Sequence, residues 1–174
     1  MTFVGCGSAF TDNRYYQSNM LITSVSGKKL LIDCGGDIRF SLGELGITNG
    51  TVGDEIDALY LSHLHSDHVS GCEWLGFCTY FNPKQKRPTL FIVNTLVKPL
   101  WNTLKGGMQS IEGKVCGLQS YFDVQSISIN GSFTWEGINF IPVQTVHIMN
   151  GMGIVPSYGL LFNEIGDNKV VFLT

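Results

Sequence analysis

The stretch that decides the fold lies at residues 56–68 and reads IDALYLSHLHSDH. Its first half is an apolar run typical of a buried strand. Its second half is a short turn that contains three of the four histidines of the chain and one aspartate: His63, His65, Asp67 and His68. Neutral imidazole nitrogens and carboxylate oxygens are ligands that zinc and similar divalent metals prefer. In a tight turn they can face two ways and hold two metals, an arrangement suited to phosphoester displacement.

The bulk composition is that of one globular domain, which we expect to span residues 1–174. Hydrophobic residues make up 44% of the chain and charged residues 14%, which excludes a disordered segment. The net charge of −3 argues against a broad nucleic-acid-binding surface but is compatible with a small nucleotide. The sequence has no signal peptide, no membrane-spanning apolar run and no C-x-x-C pair. We therefore expect a reduced, cytoplasmic protein without a membrane partner.

Strand-like segments outnumber helical ones, which predicts a mixed sheet with helices on its outer faces, a layered α/β architecture. Helices are predicted at residues 37–45, 69–80 and 97–105. Asp37 can cap the first of them. The last two predicted strands form a hairpin around residues 166–168. Strands are predicted at residues 1–4, 20–23, 29–33, 56–61, 89–93, 121–129, 132–135, 138–144, 158–162 and 169–173.

Two more residues can belong to the metal site. His147 follows the predicted strand at 138–144, and with His63 and His65 it would give three nitrogen ligands and an open position for water. That pattern is typical of catalytic zinc, whereas a histidine satisfied at a strand end is the alternative. Asp33 ends an apolar strand, where a carboxylate needs hydrogen bonds. It can obtain them by hydrogen bonding to the turn at residues 63–68, here called the metal turn, without binding the metal itself. The alternative is that it caps the helix that follows.

Three further features have plainer interpretations. Cys72 and Cys78 are predicted to be small apolar residues on a helix rather than zinc ligands. The aromatic face of that helix is predicted to pack against the sheet, the alternative being that Tyr80 or Phe81 stacks on a base. The cations at residues 84–87 form a small cluster in a loop. Structured RNA is a weaker expectation, because gripping it needs several clustered cations.

Four segments carry a resemblance to a known family. The turn LSHLHSDH at residues 61–68 resembles the metal motif of the metallo-β-lactamase superfamily. GCGSA at residues 5–9, LIDCG at 31–35 and PSYG at 156–159 resemble its ribonuclease Z branch. Within that branch, DCGGDIRFS at residues 33–41 looks most like phage anti-Pycsar phosphodiesterases, which degrade cyclic nucleotide signals. The resemblance runs through the whole chain.

The resemblance implies a four-layer αββα sandwich and a phosphodiesterase with two divalent metal ions. Zinc is the expected metal, with manganese, iron or nickel as alternatives. By position, His63, His65 and His147 would hold the first metal. Asp67 and His68 would hold the second, and Asp67 can also take or hand on a proton. The resemblance further implies a homodimer.

The end of the sequence departs from the family pattern. In the family, a strand like residues 170–173 leads to an aspartate that bridges both metals, and a last histidine comes later. The sequence ends at Thr174, before either residue. We therefore expect a fold that lacks its C-terminal part, a weak second metal site and a nearly inactive 174-residue chain, whereas the intact protein is an enzyme.

The leading functional hypothesis is hydrolysis of cyclic mononucleotides to linear nucleoside monophosphates, which would counter a host immune signal. Within enzymes, a tRNA 3′-processing endoribonuclease is the first alternative and a lactone or thioester hydrolase the second. A nucleotide-sequestering protein without turnover is the competing class.

Overall fold

The computed structural model describes residues 1–149, 151, 153–163 and 170–173. Strands and helices alternate along the first two thirds of the chain, and strands alone follow. In chain order, the elements are β1 (Thr2–Gly5), β2 (Asn19–Thr23), β3 (Lys29–Ile32), α1 (Ile38–Glu44), α2 (Val52–Glu55), β4 (Ala58–Leu61), α3 (Ser66–Val69), α4 (Cys72–Tyr80), β5 (Thr89–Val93), α5 (Asn94–Met108), β6 (Ser110–Ile111), β7 (Lys114–Val115), α6 (Leu118–Tyr121), β8 (Asp123–Ile127), β9 (Phe133–Trp135), β10 (Ile138–Met149), β11 (Ile154–Asn163) and β12 (Val170–Leu173).

The first sheet places the metal turn at the end of a buried central strand. In the described part of the chain it has the strand order β1-β2-β3-β4-β5-β8. The pairs from β3 to β8 are parallel, and all four residues of β4 are buried. Parallel strands are covered on both faces, which explains their near-continuous apolar runs. The metal turn follows the C-terminal end of β4, beside the loop that follows β3.

Helices cover one face of the first sheet. Leu31 and Leu59 from the sheet pack in one cluster with Ile38, Leu75 and Leu100 from α1, α4 and α5, and all five side chains are fully buried. In α5 the buried residues recur every four positions, which gives the helix one apolar stripe toward the sheet. This helical layer therefore holds the back of the sheet that carries the metal turn.

The other face packs against a second, antiparallel sheet with the order β12-β11-β10-β9. An aromatic core fills the space between the sheets and contains Tyr60, Phe91, Phe133, Phe140 and Phe162. The rings of Phe91 and Phe133 are stacked with centroids 4.2 Å apart. Helix, sheet and sheet are three of the four predicted layers. Within the described residues, no helix covers the outer face of the second sheet.

The helix predicted at residues 69–80 is confirmed from Cys72 to Tyr80, as α4, but its start is wrong because Val69 ends the separate short helix α3. Ser70 and Gly71 separate the two helices, and the Gly71 N–H donates to the carbonyl oxygen of Cys34 at 2.9 Å. A Cβ atom at Gly71 would overlap the carbonyl oxygen of Gly35. The close approach of these two loops therefore decides where the helix is interrupted.

Other predicted details also differ. The Asp37 side chain does not cap α1, since its carboxylate accepts a hydrogen bond from Gln17 N at 2.9 Å instead. Tyr121 lies in α6, so the strand predicted from residue 121 begins at Asp123. The strand predicted to end at residue 144 continues to Met149. The short elements α2, α6, β6 and β7 were not predicted.

The remaining predictions about these elements have mixed outcomes. β11 and β12 pair antiparallel, which confirms the hairpin, but its turn at residues 166–168 lies outside the described residues. Cys72 and Cys78 both lie on α4, as predicted. None of the described helices is long and apolar enough to cross a membrane.

Candidate metal centre

The candidate ligands of the metal turn lie close together because they are neighbours in the sequence. After the last residue of β4 the chain passes through His63 and His65 and enters α3, whose first turn carries Asp67 and His68. His63 is only 3% exposed and Asp67 9%, so part of the turn belongs to the protein interior. Four candidate ligands therefore share one short segment that is anchored at both ends.

His147 reaches the same place from the second sheet. It lies 82 positions from His65 along the chain and sits within β10, where the pairing with β11 shifts between Val146 and Ile148. This irregularity is a β-bulge, which redirects a side chain out of the regular alternation of a strand. The bulge therefore accounts for the direction in which His147 points.

Three ring nitrogens converge at one point. His63 Nε2 lies 3.1 Å from His65 Nδ1, and His147 Nε2 lies 3.1 Å from the same atom. The three nitrogens all lie within 4.8 Å of one another. A tetrahedral zinc with Zn–N bonds of about 2.0–2.1 Å holds its nitrogen ligands roughly 3.4 Å apart. The donor set and its spacing thus fit a divalent ion with three nitrogen ligands and one open position.

The buried carboxylate of Asp33 determines which ring nitrogen of His63 and of His68 is free to bind a metal. Ser62 Oγ donates its only proton to Asp33 Oδ2 at 2.7 Å, so it accepts from His63 Nδ1 at 2.9 Å. Asp33 Oδ2 also accepts from His68 Nδ1 at 2.7 Å. With their Nδ1 protons used in this way, His63 and His68 keep the lone pairs of Nε2 for a metal.

Asp67 and His68 form a smaller pair beside the three histidines. His68 Nε2 lies 3.5 Å from Asp67 Oδ2, and the His63 and His68 ring centroids are 4.1 Å apart. Asp67 does not join the group of three converging nitrogens. Asp33, His63 and His68 also lie close enough to form a group. Both Asp33 oxygens already accept hydrogen bonds from Ser62, so we interpret Asp33 as a support and not as a ligand.

The protonation of the histidines follows their surroundings. Burial, and then the charges of the neighbouring imidazoles, lower the pKa of His63 to about 3. The same causes lower the pKa of His147, beginning with burial. Burial also lowers the pKa of His68, but the hydrogen bond to Asp33 and the charges of Asp33 and Asp67 outweigh it and raise the pKa overall. His63 therefore remains in the neutral form that binds metal.

The loop after β3 holds the turn by its backbone. Asp33 has a φ of +60°, a left-handed conformation that aspartate tolerates better than most residues, and its N–H donates to Tyr60 O at 2.8 Å. The N–H of the next residue donates to His68 O at 2.8 Å. A Cβ atom at Gly35 would overlap the carbonyl oxygen of Asp67. Glycine is therefore required where the loop passes closest to the turn.

His63, His68 and His147 open onto a cleft of about 460 Å³ between the two sheets. Its lining includes Phe3 from the first sheet and Thr145 and Ser157 from the second. Clefts of this size accommodate small ligands. Neither Tyr80 nor Phe81 is among the described residues that line it. Tyr80 packs against the helical core, as predicted, whereas Phe81 is exposed.

The basic cluster lies in the loop between α4 and β5, as predicted. Gln85 in its centre is buried, because its side chain accepts from Gly53 N and donates to Asn49 O. Arg87 donates to the carbonyl oxygen of Gln119. The described residues that line the cleft include no lysine or arginine.

Sequence reasoning missed Ser62, which connects Asp33 to His63. The available signal was its position, since a hydroxyl directly before a candidate ligand can orient that ligand. It also missed the bulge at His147, for which the sequence offers no pattern, because a bulge is defined by the partner strand.

Comparisons with known proteins identify relatives. The family model described as anti-Pycsar protein Apyc1 matches residues 1–174. The chain is 37% identical over 163 residues to the anti-Pycsar protein Apyc1 of Paenibacillus harenae, an alignment that covers 92% of the chain and 62% of that protein. It is 30% identical over 178 residues to the protein of the same name from Bacillus phage vB_BveM-Goe7, covering 99% and 65%. The chain thus spans just under two thirds of the length of these relatives.

Solved structures share the fold at low sequence identity. The metallo-β-lactamase fold protein YhfI from Bacillus subtilis superposes with a TM-score of 0.68 at 18% identity, covering 98% of the chain and 59% of YhfI. Human tRNase Z, short form, gives the same score and identity and is covered to 67%. These likenesses confirm the predicted fold class. With a family model that matches every residue, the chain belongs to the anti-Pycsar protein Apyc1 family and adopts the metallo-β-lactamase fold.

Proposed function

We propose that this protein is a metal-dependent phosphodiesterase that opens cyclic mononucleotides to linear nucleoside monophosphates and so counters a host immune signal. The observation that carries the proposal is the convergence of the His63, His65 and His147 ring nitrogens beside the Asp67–His68 pair. Membership of the anti-Pycsar family supports the substrate class.

Two divalent ions are proposed, one held by the three converging histidines and one by Asp67 and His68. Such ions lower the pKa of water and neutralise charge that develops on phosphoryl oxygens. Zinc suits the nitrogen-rich first group best, while manganese, iron or nickel fit similar donors. The chain itself contributes orientation, because Asp33 holds His68 and, through Ser62, holds His63.

Asp67 is the proposed proton carrier. Its side chain is mostly buried and borders His68. A carboxylate in that position can take a proton from the attacking water and hand it to the departing ribose oxygen. Ring opening adds one water across one P–O bond, so a linear monophosphate is the balanced product.

The cleft favours a small nucleotide over a folded RNA. Its volume suits a mononucleotide, and the described lining residues offer no cation to hold further phosphates. A tRNA 3′-processing activity remains the alternative, and the fold it shares with human tRNase Z is compatible with either. A homodimer and action in the host cytoplasm are also proposed, and sedimentation would test the first of these.

The test is product analysis by chromatography. Protein expressed from the complete gene, and the 174-residue chain beside it, would be loaded with zinc or manganese and given cyclic CMP, UMP, AMP and GMP and a precursor tRNA. We expect linear monophosphates from the protein expressed from the complete gene and almost none from the 174-residue chain, with turnover lost in the His63→Ala and Asp67→Ala variants of the former. Glu136→Gln is the matched control, because Glu136 lies at the far end of the sandwich and should leave turnover unchanged.

Each other outcome would reassign the protein. Cleavage of the tRNA alone would make it an RNA-processing enzyme. Tight nucleotide binding with bound metal and no product would make it a sequestering protein. Hydrolysis of a lactone or thioester in a parallel assay, with no product from the nucleotides or the tRNA, would move the reaction to carbon esters.

A further inference from the structure

His147 is the one converging histidine that the metal turn does not supply, so its position depends on how the two sheets are held together. Its side chain is exposed, and so are the side chains of Val146, Ile148 and Met149 around it. An exposed strand end lacks the packing that fixes a buried ligand such as His63. Some other contact must hold the β10–β11 hairpin in register with the turn.

Such a contact lies at Tyr158 of β11. The Tyr158 N–H donates to Ser62 O at 2.9 Å, and the Tyr158 carbonyl accepts from the Tyr60 hydroxyl at 2.8 Å. The Tyr158 hydroxyl lies 3.1 Å from Thr95 Oγ1 at the start of α5. Both backbone groups of Tyr158 are thus bonded to β4 or to the residue that follows it, directly before His63.

From this geometry we infer that Tyr60 is a positioning residue for the metal centre, acting through Tyr158 on His147; the inference rests on the proposed metal site. Tyr158 pairs with Gln144, three residues before His147 in the same strand of the hairpin. Because Tyr158 is held against β4, the position of His147 along its strand, and hence its distance from His65, is held as well. A second set of bonds between the sheets runs from Ser26 and Lys28 to Glu136. It lies at the opposite end of β10 and is too far from His147 to determine that position.

The Tyr60 hydroxyl can be separated from the Tyr60 ring. The ring is fully buried in the aromatic core and stacks with Phe133 at 5.8 Å between centroids. A phenylalanine would keep that packing and would leave the Tyr158 carbonyl without its protein donor, at the edge of the cleft that both tyrosines line. The hairpin would then lose the side-chain bond that ties its backbone to β4. Metal sites tolerate only about 0.2 Å of error in ligand distance, so a small shift of His147 weakens binding.

Tyr121 provides a matched control. It is also fully buried, and its hydroxyl donates to a backbone carbonyl, that of Met108, at 2.6 Å. It lies in the helical layer, on the other face of the first sheet from the cleft. Tyr60→Phe and Tyr121→Phe therefore each delete a buried hydroxyl that donates to a backbone carbonyl, and of the two residues only Tyr60 lines the cleft. Only the first deletion removes a bond that leads to His147.

The experiment measures zinc affinity by competition with a chromophoric chelator, and the unfolding midpoint of the metal-free chain. We expect Tyr60→Phe to weaken binding of the first zinc by about 10- to 100-fold, the range for residues that orient metal ligands. Tyr121→Phe should lower the unfolding midpoint and leave zinc affinity unchanged. In a His147→Ala background, Tyr60→Phe should cause no further loss of affinity, because its effect passes through that ligand.

A cobalt-loaded sample gives a readout that a merely structural role would not move. Tyr60→Phe should change the visible absorption of tetrahedral cobalt, and Tyr121→Phe should not. If Tyr60→Phe does not fold, Tyr158→Phe keeps both backbone bonds, removes only the link to Thr95, and should weaken zinc binding to a smaller extent.

Four outcomes would overturn the inference. Wild-type zinc affinity in a folded Tyr60→Phe chain, or equal losses in Tyr60→Phe and Tyr121→Phe, would overturn it and leave the proposed function intact. Additive losses with His147→Ala would show that Tyr60 acts by another route. A wild-type chain that binds no zinc would overturn the proposed function, and this inference with it.

Discussion

The metal turn and the β10–β11 hairpin each supply candidate histidine ligands, and they do so in opposite ways. His63 is buried, lies within six residues of the other candidate ligands of its turn, and is hydrogen-bonded through Ser62 to Asp33. His147 is exposed, comes from a distant part of the chain, and owes its direction to a bulge. The first ligand is therefore set by the interior of one sheet, and the second by how two sheets meet.

This difference predicts that the two histidines contribute differently to the stability of the fold and to metal binding. A buried ligand is part of the folded core, so changing it should affect folding as well as metal binding. An exposed ligand on a hairpin costs the fold little, so changing it should affect metal binding alone. Three predictions test this contrast, from the largest expected effect to the smallest.

The largest effect is expected from removing a ligand on either side. His63→Ala and His147→Ala should each weaken zinc binding by more than about 100-fold, which is beyond the loss typical of supporting residues. His63→Ala should also destabilise the metal-free chain by about 1–3 kcal/mol, because it removes a buried hydrogen-bonded side chain. His147→Ala should change metal-free stability by less than about 0.5 kcal/mol.

Chelator competition gives the affinities, and urea unfolding in the presence of EDTA gives the stabilities. Unchanged zinc affinity in His147→Ala would remove the hairpin from the site. Equal loss of stability in both variants would contradict the expected difference between the buried His63 and the exposed His147.

An intermediate effect is expected where the turn meets the loop after β3. Gly71→Ala should destabilise the chain by about 1–3 kcal/mol, because the new Cβ would overlap the carbonyl oxygen of Gly35 and force the backbones apart. Gly43→Ala is the control, since Gly43 is exposed in α1 with open space around it. That change should stabilise the chain by about 0.5–1 kcal/mol. Thermal unfolding of both variants measures these changes. A Gly71→Ala chain as stable as the wild type would mean that the two loops can move apart freely.

The smallest effect is expected at the far end of the sandwich. Glu136 accepts from Lys28 Nζ at 2.8 Å, an exposed ion pair that contributes little and is screened by salt. Glu136→Gln should lower the unfolding midpoint slightly at low salt, not at high salt, and leave zinc affinity unchanged. A clear loss of zinc affinity would show that both ends of the hairpin position His147.

The same pair gives a dependence on pH. Hydrogen bonds from Lys28 and Ser26 lower the pKa of Glu136 below its ordinary value of 4.5. A carboxyl group with a lowered pKa stabilises the folded state above its ordinary pKa, and this contribution is lost as the pH falls through the folded value. The small advantage of the wild type over Glu136→Gln should therefore be present at neutral pH and disappear in acid.

Much of the fold could be predicted from the sequence. The apolar runs of β3, β4 and β5 were recognisable because buried parallel strands are apolar along their whole length. The helix break at Gly71 was not predictable, because it depends on contact with a loop more than 30 positions earlier in the chain. Asp37 had the right position for a cap, but Gln17 competes for its carboxylate.

The site divides in the same way. The sequence by itself determined the metal turn, because ligands within six residues lie close together in any compact conformation of that segment. It also determined that Asp33 needs partners, because a carboxylate at a buried strand end must be hydrogen-bonded. Only the tertiary structure decided that Ser62 and His68 are those partners, that a bulge directs His147 toward His65, and that the Tyr60 hydroxyl bonds the hairpin to the first sheet. The physical reason is that a short turn is fixed by its own covalent geometry, whereas the meeting of two sheets is fixed by hydrogen bonds and packing between residues far apart in the chain.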